Sequence, residues 1–377
     1  MNVDAAMVPE SLAGIAQRLA VEFDGRAAAH DADDSFVAEN FARLRAEGLL
    51  AAGVPDALGG GGADVRSLAN MLRLLGQGCG STALAFAMHS HQVAIPAWRW
   101  AHQPAARAAV EPLLKRVADS GAVLVTSGGS DWIGSSGRAD KVEGGYRIHA
   151  RKAFASGSPV GTLLMTSAVC GDRIVHFAVP LDAPEVQVLD TWRALGMRGT
   201  GSGDIEIAGL FVPDDKIALT RAAGEWHPLW HIIATTAFPL IYSVYVGIAE
   251  AARDIAVAAM ARRAAAGRNR RLLGEMDSAL WSARVAHDAM ISVVERNAPS
   301  AITVNDVMFG RRAVEAAAIR TVELAMEAAG GAGFYRASAL ERRFRDIQAA
   351  RYHPMRREVQ QEFAGALALG EPVAQIY

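Results

Sequence analysis

The chain has 377 residues, 51% of them hydrophobic, and a formal net charge of −2. That is enough chain for two or three domains with a sizeable core, and it excludes a disordered polypeptide. A near-neutral balance with no long basic run gives no nucleic-acid surface, and Cys79 and Cys170 are isolated thiols in no metal-ligand spacing, so no metal site is expected.

Residues 10–120 read as helical. Ser35 to Leu50 places Phe36, Phe41, Leu44 and Leu49–Leu50 on one face after an Asp-Asp-Ser start signal. Gly59 to Gly62 breaks the pattern, which resumes at Ser67 and again from Thr82. His89 and His91 are two apart, so on a helix they point to different sides, and they are candidate substrate contacts rather than a paired metal site. From Ala122 the period changes. Short runs rich in Val, Ile, Leu and Phe (AVLVTSG, GYRIHA, RKAFASG, TLLMTSAV, RIVHFAVPL, VQVLDTW) alternate with glycine turns. After Pro213 four long helical patterns follow, near 229–265, 272–297, 304–329 and 338–368. The expected fold is α+β: an N-terminal helical domain over 1–121, a barrel-like all-β domain over 122–213, and a C-terminal four-helix bundle over 214–377.

His227 to Ala249 carries no Asp, Glu, Lys or Arg and is long enough to span a bilayer. Glu250 and Arg253 continue its pattern at once, so a buried bundle helix is expected, with no membrane partner. The opening MNVDAAMVPE has no apolar h-region; a cytoplasmic protein is expected.

The most informative stretch is Asp190 to Asp215, with five glycines, Thr200 and Ser202 between three of them, and then the alternation Ile205-Glu206-Ile207-Ala208. Arg198-Gly199-Thr200-Gly201-Ser202-Gly203 can bring backbone N–H groups and two hydroxyls close to a ligand. A strand follows it, not a helix, so it is not a dinucleotide fingerprint. LGMRGTGSGDI followed by FVPDD resembles the flavin-proximal segment of the acyl-CoA dehydrogenase superfamily. GLLAAGVPDALGGGG and STALAFAMHSH resemble its N-terminal helical domain. The helix, β, helix order is similar to that superfamily over nearly the whole chain.

The resemblance implies a flavin, FMN or FAD, held by Thr126, Ser130, Phe154, Ser156, Arg198, Thr200 and Ser202, and by the Gly330-Gly331 turn. Phe154 would pack on the ring and Ser156 would reach its N5 or O4 edge. Arg262-Arg263-Ala264-Ala265-Ala266-Gly267 has no Phe, and Glu327 stands before the Gly-Gly turn, so two contacts of dehydrogenases to the adenosine half of FAD are missing. Family dehydrogenases need a Glu opposite N5 to remove an α-proton. In the matching text, Arg345-Asp346-Ile347-Gln348-Ala349-Ala350-Arg351-Tyr352-His353-Pro354, His353 stands at that position. Glu250 on the first bundle helix is the residual candidate base. An Arg-Asp with a His seven residues after the Asp resembles the reduced-flavin-dependent monooxygenases of the same fold, in which a His near N5 supports the C4a-hydroperoxide. The resemblance therefore implies a two-component monooxygenase, fed by a separate flavin reductase and acting on a small organic molecule. The alternatives are an acyl-CoA dehydrogenase with a displaced base and a silent scaffold of the same fold. The apolar first bundle helix further suggests a homotetramer.

Overall fold

The computed structural model describes residues 10–128, 131, 133–264, 267 and 269–373. Ser130 lies outside the described residues.

The N-terminal region is α1 (Leu12–Asp33), α2 (Ala38–Ala46), α3 (Val65–Gly78), α4 (Gly80–His102) and α5 (Arg107–Ser120). Caps fix two of these starts: Ser11 accepts from the Gly14 N–H at 3.2 Å and Asp64 from the Ser67 N–H at 2.7 Å. The Asp-Asp-Ser signal does not open α2. Asp34 instead ends α1 in the left-handed conformation, φ 58°, a backbone region that short polar side chains tolerate better than most.

Among the described residues eight strands follow: β1 (Leu124–Thr126), β2 (Arg138–Val142), β3 (Gly145–Lys152), β4 (Leu163–Cys170), β5 (Arg173–Pro180), β6 (Val186–Val188), β7 (Ile205–Pro213) and β8 (Leu219–Ala222). They run β6-β7-β3-β2-β4-β5-β8, with β1 beside β4. β4 gives one edge to β5 and shares the other. β1 takes its first residues in parallel, Leu124 opposite Leu163, and β2 joins at the single pair Arg138–Val169. The end strands β6 and β8 do not pair with each other, so among the described residues the sheet is open and not the barrel expected. Pairing also runs past residue 213, through β8. The alternation in β7 buries Ile205, Ile207, Leu210 and Val212 on one face.

Among the described residues three long helices come next, α6 (Leu229–Ala261), α7 (Arg270–Glu295) and α8 (Ala301–Ala329), with two short ones, α9 (Ala339–Ile347) and α10 (Arg357–Leu369). α6 is long and apolar enough to cross a membrane, but 94% of its most apolar window is buried inside the protein. Its apolarity all round follows from its neighbours: α3 and α4 pack on it as closely as α7 and α8 do. Glycines permit the α3 contact. A Cβ at Gly247 would lie 2.0 Å from the Arg73 carbonyl oxygen, and one at Gly76 would lie 2.8 Å from that of Val244.

The expected fourth bundle helix, 338–368, is two helices separated by Gln348–Arg356. The carbonyls in that break are taken by bundle side chains. The Tyr242 hydroxyl donates to Ala350 O at 2.6 Å and Arg311 Nη2 to His353 O at 2.5 Å. Pro354, which cannot donate to a helix ladder, lies in the same break.

Candidate active site

A cavity of about 930 Å³ opens between the sheet and this break. Three segments build it: the end of β1 with Thr126, Ser127 and Gly128; the loops carrying Phe154 and Ser156 and, across from them, Trp192 to Ser202; and Gln348 to Val359, with His353. Leu84 and Met88 of α4 close it.

The first segment is held by a buried ion pair. Lys152, fully buried, places Nζ 2.9 Å from Asp131 Oδ2 and donates to the carbonyls of Ser136 at 2.5 Å and Ser167 at 2.6 Å. Asp131 also accepts from the Ser127 hydroxyl and from the Ser136 N–H at 2.7 Å. Every charge is therefore matched, as burial demands, and the loop after β1 is fixed over the sheet.

In the second segment Phe154 has φ 58°, a left-handed backbone that a bulky residue rarely adopts, and the residue is 57% exposed. The ring meets Trp192 edge to face at 6.0 Å. A Cβ at Gly128 would come within 2.6 Å of Phe154 Cβ, so only glycine leaves the ring there. Backbone strain that displays an apolar ring at a cavity wall points to a ligand. Beside it the hydroxyls form a chain: Ser156 Oγ to Ser202 Oγ at 2.7 Å, Ser202 Oγ to Thr200 Oγ1 at 2.6 Å, and Thr200 Oγ1 to Met197 O at 2.8 Å. A carbonyl can only accept, so Thr200 spends its proton on Met197. Ser202 must then donate to Thr200, and Ser156 to Ser202. Ser156 Oγ is left to the cavity as an acceptor.

In the third segment the His353 ring lies against Tyr242 and Tyr245, with Nε2 2.5 Å from the Tyr245 hydroxyl. Burial, with the Arg311 charge beside it, pushes the imidazole down to about 3. The ring is neutral at physiological pH, so it serves as a hydrogen-bonding group and not as the proton-donating imidazolium that an unperturbed histidine could supply.

The cavity thus gathers Thr126, Phe154, Ser156, Thr200, Ser202 and His353 from the residues singled out in the sequence. The others lie elsewhere. Glu250 is buried with both oxygens engaged, Oε2 by Arg73 Nη1 at 2.5 Å and Gln77 Nε2 at 2.6 Å, and Oε1 by Arg284 Nε at 2.7 Å. Its side of α6 faces α3 and α7, so it does not line the cavity. His89 ties three elements together: Nε2 donates to Leu50 O at 2.8 Å and Nδ1 accepts the Leu124 N–H at 3.0 Å. His91 is buried on Ala87 O at 3.0 Å. Neither histidine lines the cavity. Arg198 lines a separate space of about 270 Å³ between α1 and α9, and Gly330 and Gly331 close α8 away from the cavity.

Tyr245 and Arg311 were not legible as site residues. Tyr245 sits in an unbroken apolar helix and meets His353 across 108 residues of sequence. Arg311 is fully buried, with Nη1 3.8 Å from Glu315 Oε2, and among the described residues its Nε and Nη1 make no hydrogen bond. The one signal available in the sequence was a single arginine, Arg311, at a position in line with the apolar face of its helix.

A planar, ring-based ligand with polar edges fits this wall: an exposed aromatic pair on one side, an oriented hydroxyl and a neutral imidazole on others. Residues 10–116 match the family described as acyl-CoA dehydrogenase, N-terminal domain. The chain is 28% identical over 351 residues to the amino sugar nitrososynthase DnmZ of Streptomyces peucetius, covering 88% of this chain and 86% of that one. It is 32% identical over 233 residues to the dibenzothiophene monooxygenase of Mycolicibacterium goodii, covering 56% and 54%. Among solved structures, KijD3 in complex with FMN and a dTDP-linked 3-amino sugar superposes with a TM-score of 0.84 at 29% identity, over 98% of this chain and 96% of that one. The chain belongs to the acyl-CoA dehydrogenase superfamily.

Proposed function

We propose that this protein is a flavin-dependent monooxygenase that takes reduced FMN from a separate reductase and oxygenates a small organic molecule. The observation that carries the reading is the cavity's composition: among the described residues its lining holds no carboxylate, and its one imidazole is His353. An acyl-CoA dehydrogenase needs a carboxylate base at the flavin, and Glu250 is held in its ion cluster instead. Phe154 and Trp192 would hold the ring system, Ser156 would accept from an N–H on its edge, and His353 would face the reacting region. Bound there, the reduced flavin supplies the electrons that activate oxygen. The protein's part is to orient the ring, to exclude water with Leu84, Met88 and Met355, and to place a neutral hydrogen-bonding ring at the reaction edge.

The likeness to amino sugar nitrososynthases and to KijD3 puts an amine nitrogen, as on a nucleotide-linked amino sugar, first among substrates to assay. The same reading makes the protein a cytoplasmic homotetramer. Exposed Trp281 and Val285 on α7 and Phe309 on α8 support burial of that face between subunits. The test is turnover with a reductase, NADH and FMN, with mass spectrometry for a substrate gaining oxygen. Oxygenated product supports the reading. Flavin bleaching by an acyl-CoA, with no oxygenation of any amine, contradicts it.

A further inference from the structure

We propose that Tyr245 is a positioning residue that locks the His353 ring in the tautomer protonated at Nδ1, so that the ring meets a bound ligand as an N–H donor. The second half of this rests on the reading of the cavity as a flavin site; the first half stands on geometry alone.

Tyr245 is fully buried on α6, and burial pushes its phenol well above the usual range, so it keeps its proton. Among the described residues its hydroxyl has one hydrogen-bond partner, His353 Nε2 at 2.5 Å. Were Nε2 to carry the proton, the buried phenolic proton would have no acceptor, which burial penalises. The hydroxyl therefore donates and Nε2 accepts. A neutral imidazole carries one proton, so it sits on Nδ1, which makes no hydrogen bond among the described residues. The rest of the surroundings hold this state. Arg311 from α8 fixes the backbone by donating to His353 O at 2.5 Å and disfavours a second positive charge. His91 on α4 disfavours it too, and Tyr242 packs against the ring without bonding to it, its hydroxyl spent on Ala350 O.

The test is nitrogen-15 NMR of the full-length, flavin-free protein labelled at histidine, with the His353 signals assigned by their loss in His353→Ala. The wild type should show Nδ1 protonated and Nε2 as a bare acceptor between pH 6 and 8 (about the unperturbed histidine range). Tyr245→Phe keeps the ring and removes the hydroxyl, and should give averaged signals from both tautomers. Tyr242→Phe should keep the wild-type pattern, which a purely packing role for these tyrosines would not distinguish. A wild-type spectrum with Nε2 protonated, or an unchanged tautomer in Tyr245→Phe, overturns the proposal. A locked tautomer in a protein that fails to bind reduced FMN would overturn the functional reading and leave the role of Tyr245 intact.

Discussion

Asp346 Oδ1 accepts the Met197 N–H at 2.5 Å, and this bond, with that of Arg345 Nη1 to Leu195 O at 3.2 Å, ties the glycine-rich segment to the helix that leads into His353. Both residues are buried, Met197 has φ 54°, and a Cβ at Gly196 would fall 2.4 Å from the Arg345 carbonyl group. Two walls of the cavity are therefore joined directly.

Burial pushes the Asp346 carboxyl up to about 6 from 3.8, against the Met197 hydrogen bond and the Arg342 charge. Between those pH values the folded chain keeps a proton that the unfolded chain has lost. Stability from this group is thus full below about pH 4 and is lost as pH rises through 6, a change of about 3 kcal/mol. Asp346→Asn should remove that slope and match or exceed the wild-type Tm at pH 8. Asp346→Ala should lose about 1–3 kcal/mol, because the Met197 N–H is left without an acceptor. Thermal melts from pH 4 to 8 check both.

The buried histidines carry the opposite sign. Burial pushes His89 and His91 down to about 4 and His353 to about 3, so their contribution is present above about pH 6.5 and is lost as pH falls through 4. His89→Ala should cost about 2–4 kcal/mol at pH 7, since it orphans Leu50 O and the Leu124 N–H, and should flatten the acid limb of the melting profile. An unchanged Tm with altered substrate affinity would return His89 to the substrate site.

Phe154→Gly separates strain from binding. Glycine adopts φ 58° freely, so the flavin-free variant should be as stable as the wild type or more so. The missing ring should weaken FMN binding about tenfold, near the upper end of what a lost aromatic pair contact costs. Melting curves and fluorescence titration with FMN read the two effects independently.

Glu250→Gln should leave FMN affinity unchanged and lower stability by about 1–2 kcal/mol. Arg73 and Arg284 lose their shared carboxylate, but both are partly exposed and recover solvation. Loss of flavin chemistry without loss of stability would instead restore Glu250 as a catalytic base.

Much of the fold was legible because it follows local rules. The period-two alternation at Ile205 and Ile207 gave β7, and the uncharged run from His227 to Ala249 gave the buried α6. What was missed is tertiary. β2 (Arg138–Val142) reads as polar and becomes a strand only by pairing with β3. Gln348-Ala349-Ala350-Arg351 has good helix formers, yet the α-helix ends at Ile347, and beyond it Tyr242 takes the Ala350 carbonyl and Arg311 that of His353, before Pro354. The hydroxyls and His353 were legible through their motifs. The groups that orient them, Tyr245, Asp346 and Lys152, sit in segments whose sequence carries no sign of the partner.

The most direct measurement mixes anaerobic protein–reduced FMN complex with oxygen and follows the return of oxidised-flavin absorbance. Free reduced FMN reoxidises without delay. The account predicts a clear lag in the wild type and its shortening by about 10²-fold in His353→Ala, the scale of losing one oriented donor at a developing charge. Reoxidation in the wild type as fast as that of free FMN, or an unchanged lag in His353→Ala, would contradict it.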